Sequence, residues 1–186
     1  NTKNNLEKDL NAKKSIKKLV TGSAVKRFSI DFKSEFLLFI PWEYDINYSE
    51  SIKQYLSNKK AGLVKRPEVK EGRFNWWVLS RYGSTNSVYL SKPKIIYPRI
   101  TNDCNFCLDE SGEIFLSDNN FFISSDSKSL LAILNSKLVF FFLKHHCPTL
   151  RGGYYDFRRP YVEKIPIHVT QKAGCTINVV VMIVQL

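Results

Sequence analysis

The sequence predicts an α/β fold of the mixed, α+β kind, built mostly from antiparallel strands with one long buried helix. Short runs of branched and aromatic residues, separated by turn residues, recur between Val25 and Ser125, and such runs favour β-strands. An apolar run from Leu130 to Leu143 carries large side chains at three- and four-residue intervals, which is typical of a helix that faces a core.

The first 18 residues contain six lysines, two acidic residues and few apolar ones. This composition predicts a basic, solvated helix or linker leading from a missing upstream domain. The folded domain is expected to cover residues 19–168. Residues 169–186 contain the run NVVVMIV and are expected to form a terminal strand or tail.

Several elements are expected before the long helix. The runs VKRFSIDF and EFLLFI predict strands between Val25 and Ile40. The run SESIKQYLSN, from Ser49 to Asn58, predicts a short helix that Ser49 can cap, with Ile52, Tyr55 and Leu56 on one face. Residues 74–82 are compatible with a strand or a helix. The run KPKIIYPRI predicts a strand that Pro98 confines to an edge or a bulge.

The next segment predicts a β-hairpin, EIFLS followed by NNFFISS, and then the long helix. Ser125, Asp126 or Ser127 can cap this helix. Its apolar positions follow helical spacing: Leu130, Leu134, Leu138 and Phe141. Pro148 and the glycine pair at 152 and 153 are expected to end it, and VEKIPI is expected to return as a strand.

The formal net charge of +11 indicates a polyanionic partner. Nucleic acid is the default partner, and an acidic membrane surface is the competitor. The sequence has no run of eighteen apolar residues and no signal-peptide pattern. We therefore expect no membrane span and a cytoplasmic location.

The loop HHCPTLRGGYYDFRRP is the strongest candidate binding surface, and it carries Arg151, Tyr154, Tyr155, Arg158 and Arg159. The planar fork of an arginine matches the O6 and N7 acceptors of guanine and discriminates between bases by about 1–3 kcal/mol. The tyrosines can pack on sugars, contact a thymine methyl group or support the loop. In the alternative interpretation, the segment is a turn and an ordinary charged strand in which Asp156 pairs with an arginine.

Five other basic residues are weaker candidates. Arg99 can reach into a DNA groove or can guard an edge strand against aggregation. The remaining four are expected to contact the phosphate backbone: Lys26, Arg27, Lys65 and Arg66.

Four cysteines fit a reducing compartment. Cys104 and Cys107 have the spacing of a zinc half-site, and His145, His146 and Cys147 can in principle complete it. The second half lacks the spacing of a zinc knuckle, so we favour buried thiols and predict no metal site.

The order of motifs resembles the TaqI-like C-terminal specificity domain, the target-recognition domain of restriction-modification adenine-N6 DNA methyltransferases. The resemblance covers about residues 19–168. It rests on motifs in a fixed order: LVTGSAVKRF, YLSNKKAGLVKR, WWVLSR, SKPKIIYPRI, NNFFISS, LLAILNSKLVFFFL and GGYYDFRRPYVEKIPI.

This resemblance implies sequence-specific recognition of double-stranded DNA for a methyltransferase or a methylase-endonuclease. It also implies S-adenosylmethionine as the cofactor of the parent enzyme and an upstream methyltransferase domain as a partner. The sequence has neither the NPPY-type tetrapeptide that holds the flipped adenine in that family nor a glycine-rich cofactor segment. We therefore expect a fragment without catalytic residues, cofactor or metal of its own.

Two other functions stay open. A metal-dependent nuclease is suggested by Glu68-Val69-Lys70 with Asp45 or Asp31 as a partner, although this tripeptide is common by chance. A general nucleic-acid-binding or protein-interaction module is equally compatible with the basic charge, but no RNP-type or GXXG motif supports RNA binding.

Overall fold

A computed structural model of the chain describes residues 2–80 and 87–167. These residues form two compact units, each assembled from two chain segments. Residues 2–18 and 36–80 form the first unit, and residues 19–35 and 87–167 form the second. None of the helices in these ranges is long and apolar enough to cross a membrane.

The described helices are short and are numbered here in chain order: α1 (Thr2–Leu6), α2 (Leu10–Ser15), α3 (Glu50–Ser57), α4 (Lys60–Leu63), α5 (Pro67–Lys70), α6 (Ser87–Leu90), α7 (Lys128–Leu134), α8 (Lys137–His146) and α9 (Arg159–Val162). The described strands are equally short: β1 (Ile16–Val20), β2 (Val25–Lys26), β3 (Ser29–Ile30), β4 (Phe36–Leu38), β5 (Lys94–Pro98), β6 (Ile100–Thr101), β7 (Cys107–Asp109), β8 (Ile114–Leu116), β9 (Asn120–Ile123), β10 (Thr149–Leu150) and β11 (Tyr154–Asp156). The strand pairs β1–β4, β2–β3, β5–β7, β5–β9, β6–β11 and β10–β11 are antiparallel, so the predicted mixed fold with antiparallel strands is confirmed.

The first unit packs helices α1 to α3 around a small apolar core, and β4 pairs with the start of β1. Ser49 caps α3 as predicted, because its hydroxyl accepts a hydrogen bond from the Ile52 amide at 3.1 Å. Leu6 and Ala12 are buried in this core. The expectation that the first 18 residues are solvated is therefore wrong for these two residues.

The second unit is built on the antiparallel sheet β7-β5-β9, with β5 in the centre. Helices α7 to α9 supply apolar residues that cover this sheet. The ring of Tyr97 in β5 packs against Phe121 in β9 and against Phe106, which precedes β7. A second sheet, β10-β11-β6, lies beyond the end of β5. One residue, Arg99, joins β5 to β6 of this second sheet, so the candidate loop is anchored directly to the core sheet.

The predicted single helix from Leu130 to Leu143 is in fact two helices, α7 and α8, with a break at Asn135 and Ser136. The Asn135 side chain accepts from the Phe106 amide at 3.0 Å and donates to the Phe106 carbonyl at 2.9 Å. Ser136 then caps α8 by accepting from the Val139 amide. Hydrogen bonds between the Asn135 side chain and the backbone of Phe106 therefore mark the point where one helix ends and the next begins.

This break also changes the buried face. Leu130 and Leu134 are buried as predicted, whereas Leu138 and Phe141 are 77% and 63% exposed. Beyond the break, α8 buries Val139 and Leu143 instead. The break interrupts the helical periodicity, so the apolar face of α8 does not continue the face that Leu130 and Leu134 define in α7.

Two strand predictions were wrong. The run KIIYP is the central strand β5 and not an edge, because Pro98 is its last residue and the ladder continues through the Arg99 amide, which donates to Asn119. The expected hairpin between β8 and β9 does not form. β9 pairs with β5, while Ser117, which follows β8, donates to the Val20 carbonyl at the end of β1.

Two segments lack the regular structure that their sequences suggested. Residues 74–80 form turns and bends, and residues 81 and 82 lie outside the described residues. The segment VEKIPI begins at the end of α9 and continues as a turn and irregular backbone up to residue 167. The expectation for residues 169–186 lies outside the described residues.

A buried ion pair links β5 to β7 in the second unit. The Lys94 ammonium lies 2.6 Å from the Asp109 carboxylate, and both side chains are almost fully buried. Burial raises the pKa of Asp109, but the hydrogen bonds from Lys94, Ser111 and the Ile114 amide outweigh it and hold the pKa below its ordinary value. Asp109 therefore stays ionised and neutralises a cation that has no access to water.

We expect Asp109→Ala to lower the free energy of unfolding by about 3–5 kcal/mol, because the substitution leaves the Lys94 ammonium buried without a counter-charge. Urea unfolding followed by circular dichroism measures this change. The neighbouring Glu110→Ala is the control, because its ion pair with Lys128 is exposed and surface pairs contribute little. Equal stability of both variants would contradict the structural role of the buried pair.

Candidate functional site

The candidate loop begins at Cys147, which follows α8, and returns as a tight antiparallel turn. β10 and β11 pair with Leu150 opposite Tyr154, so only three residues connect them. Gly152 and Gly153 have φ values of 81° and 78°, a region that glycine enters without a steric penalty. The glycine pair thus permits a short turn that exposes Arg151 at its tip.

Asp156, at the end of β11, binds two arginines. Its carboxylate accepts hydrogen bonds from Arg99 Nε at 2.9 Å, from Arg99 Nη2 at 3.2 Å and from Arg158 Nε at 2.6 Å. Burial raises the pKa of Asp156, but the hydrogen bonds from Arg99 and Arg158 outweigh this effect and hold the pKa below its ordinary value. The same contact with Asp156 raises the pKa of Arg99.

The carboxylate is buried while the cations reach solvent. The Asp156 side chain is 2% exposed, and those of Arg99 and Arg158 are 30% and 54% exposed. Each guanidinium has five N–H donors, so donors remain for a ligand after the contacts with Asp156 are made. We name Arg99, Asp156 and Arg158 the arginine cluster. The cluster carries a net positive charge, and the contacts with Asp156 restrict the positions of its two guanidinium groups.

The other residues of the loop differ in their exposure and contacts. Arg151 is exposed and makes no ion pair within residues 2–80 and 87–167. Arg159 pairs with Glu163 at 3.1 Å and remains 57% exposed. Tyr154 is 42% exposed, whereas Tyr155 is half-buried and packs edge-on against Phe140. Tyr155 supports the loop, and Tyr154 presents its ring to solvent.

Lys26 and Arg27 lie in the same unit: Lys26 ends β2, and Arg27 follows it in the turn that leads to β3. Lys26 is exposed. Arg27 binds both carboxylate oxygens of Asp103, at 2.9 and 3.1 Å, and its Nε lies 3.4 Å from the Cys104 carbonyl. Arg27 therefore also holds the loop after β6.

Lys65 and Arg66 lie in the other unit. Lys65 is exposed. The Arg66 guanidinium donates to the carbonyls of Leu63, Val78 and Trp76 and to the Ser80 hydroxyl. These contacts give Arg66 a structural role in its unit, and its contact with a phosphate stays a prediction.

Sequence reasoning did not find a polar cleft in the second unit, formed where the turn after β1 approaches the loops after β6 and β8. Its volume is about 490 Å³. We call it the asparagine cleft, and its functional groups come from Thr21, Ser23, Lys26, Asn102, Asn119 and Tyr154. The sequence carries no local signal for the cleft, because its walls are separated by up to 133 positions.

Among the described residues, no group of three or more His, Cys, Asp or Glu side chains is placed to hold a metal ion. Asp45 caps a turn and Asp31 pairs with Lys33. Three cysteines are buried free thiols: Cys104, Cys107 and Cys147. Burial raises the pKa of Cys104 and of Cys147 to about 12, so these thiols are protonated at neutral pH.

Comparison with known proteins gives one family and two relatives. The TaqI-like C-terminal specificity domain matches residues 17–167. The chain is 24% identical over 126 residues to the type II methyltransferase M.PaeR7I of Pseudomonas aeruginosa, an alignment that covers 66% of this chain and 21% of the relative. It is 26% identical over 119 residues to the type II methyltransferase M.XhoI of Xanthomonas vasicola, which covers 61% of this chain and 21% of that relative.

The aligned region thus spans about a fifth of the length of each relative. The family match, in contrast, covers most of the chain and includes the arginine cluster, the loop and the asparagine cleft. The chain therefore belongs to the family of TaqI-like C-terminal specificity domains.

Proposed function

We propose that this chain reads a short sequence in double-stranded DNA for a restriction-modification enzyme. The enzyme would be an adenine-N6 methyltransferase or a combined methylase-endonuclease whose catalytic domain lies outside this chain. The observation that carries this proposal is the arginine cluster, in which buried Asp156 orients the guanidinium groups of Arg99 and Arg158. Membership of the specificity-domain family and the two methyltransferase relatives support it.

The arginine cluster is suited to reading base edges. A guanidinium held by a carboxylate has lost much of its rotamer freedom before it meets a ligand, so less conformational entropy is lost on binding. Its free N–H donors can then engage the O6 and N7 acceptors of guanine in the major groove. Arg158 is the better exposed of the two arginines, and we assign it the central role in readout.

Flexible exposed cations serve the phosphate backbone in this proposal. Lys26 and Lys65 are exposed, and lysine binds phosphate as a point charge without sequence information. The net charge of +11 supplies the long-range attraction. Arg151, at the tip of its turn, can extend the contact along either the backbone or the groove.

The chemistry of methyl transfer belongs to the parent enzyme in this proposal. S-adenosylmethionine would bind the upstream methyltransferase domain, and this chain would contribute recognition and no catalytic group. Because the proposed partner is DNA, we place the parent enzyme in the cytoplasm.

Selection from a random duplex library, followed by sequencing of the bound DNA, tests the proposal. We expect the wild-type chain to enrich one short motif and Arg158→Ala to lose selectivity by about tenfold or more at one base pair. Arg73→Ala is the matched control, because Arg73 is also an exposed arginine paired with a neighbouring carboxylate, Glu71, but lies outside the cluster. Enrichment of no motif by the wild-type chain, or preferential binding of RNA duplexes in competition, would overturn the proposed function.

Lys65→Ala is expected to weaken binding to all duplexes alike. Loss of one phosphate contact releases about one counterion fewer, so the slope of log K against log salt concentration should become shallower by about one. Titrations of the selected duplex and a scrambled duplex at several salt concentrations measure this slope. A changed motif preference in Lys65→Ala would argue against the backbone assignment.

A further inference from the structure

The asparagine cleft contains polar groups that the fold does not use. Thr21 precedes a 3-10 helix but makes no capping hydrogen bond with its side chain. The side chains of Ser23, Asn102 and Asn119 make no hydrogen bond within the described part of the chain. Hydroxyl and amide groups that face a concave surface without an internal partner are available to a ligand.

The walls of the cleft are held in place by the surrounding structure. Thr101 donates to the Asp103 carbonyl at 2.8 Å, and Asn105 donates to the Thr101 hydroxyl at 2.9 Å. On the opposite side, a side chain added at Gly22 would lie 3.3 Å from the Asn119 carbonyl. The turn after β1 therefore approaches the β8–β9 connection closely, and the cleft is formed before any ligand binds.

The chemistry of the lining fits a nucleotide. Lys26 is the one formally charged side chain among the lining residues, so an anionic group is favoured. The exposed Tyr154 ring offers a flat surface for a nucleobase, and such stacking contributes about 1–3 kcal/mol per base. The amides of Asn102 and Asn119 offer both donors and acceptors to a base edge. The volume of about 490 Å³ lies within the usual range of small-ligand sites.

We propose that the asparagine cleft binds one unpaired nucleotide of a DNA strand, with its base against Tyr154 and its phosphate near Lys26. This inference rests on the proposed function. Methyltransferases extrude their target base from the duplex, which leaves the opposite base without a partner. A preformed site on the recognition domain would stabilise that distorted duplex.

The test compares two labelled duplexes that differ only by one extra, unpaired nucleotide in one strand. Fluorescence anisotropy gives the affinity of the full chain for each duplex. The wild-type chain is expected to bind the bulged duplex about tenfold more tightly, a ratio in the range of one base–aromatic stack. Equal affinity for the two duplexes overturns the nucleotide site and leaves the proposed function intact, whereas failure to bind either duplex overturns both.

Three variants locate the effect. The double substitution Asn102→Ala with Asn119→Ala should abolish the preference for the bulge while the affinity for the paired duplex is unchanged. Tyr154→Ala should also abolish the preference, whereas Tyr154→Phe, which keeps the ring, should retain it. Asn58→Ala, an exposed asparagine at the end of α3, is the matched control. A preference that survives in the double variant would place the unpaired nucleotide elsewhere and overturn the assignment.

Discussion

The carboxylate of Asp156 accepts hydrogen bonds from two arginines that lie 57 and two residues away in the sequence, while it is almost completely shielded from water. A buried charge is tolerated only when it is paired and hydrogen-bonded, so Asp156 holds Arg99 and Arg158 together. Asp156 also pairs with Ile100 in the sheet β10-β11-β6. The position of the candidate loop, the direction of its arginines and the rim of the asparagine cleft all depend on this sheet.

Several arginines of the second unit are paired with carboxylates. Arg27 is bound to Asp103 and Arg159 to Glu163, whereas Lys26 is exposed. Fixing a long side chain on binding costs about 0.5–1.5 kcal/mol, and the folded protein has already met much of this cost for the paired arginines. The unit thus combines arginines that carboxylates hold in place, suited to base edges, with the exposed Lys26, suited to a phosphate.

Local patterns predicted much of this structure, and contacts between distant residues account for the errors. The Ser49 cap and the tight Gly152–Gly153 turn follow from the residues themselves. The break between α7 and α8 depends on hydrogen bonds between Asn135 and Phe106, 29 positions apart, which no helical periodicity reports. The internal contacts of Arg66 and the asparagine cleft were missed for the same reason, since composition gives the number of cations and amides but not the groups that they face.

Side-chain NMR of the arginines tests the central claim most directly. In the free protein, the Nε atoms of Arg99, Arg158 and Arg73 all lie within 2.9 Å of a carboxylate oxygen, so their Nε–H signals should be observable and assignable. On addition of the duplex recovered by selection, we predict that the signals of Arg99 and Arg158 shift while that of Arg73, which lies outside the arginine cluster, does not. A shift at Arg73 with none at Arg99 and Arg158 would contradict a recognition surface organised by Asp156.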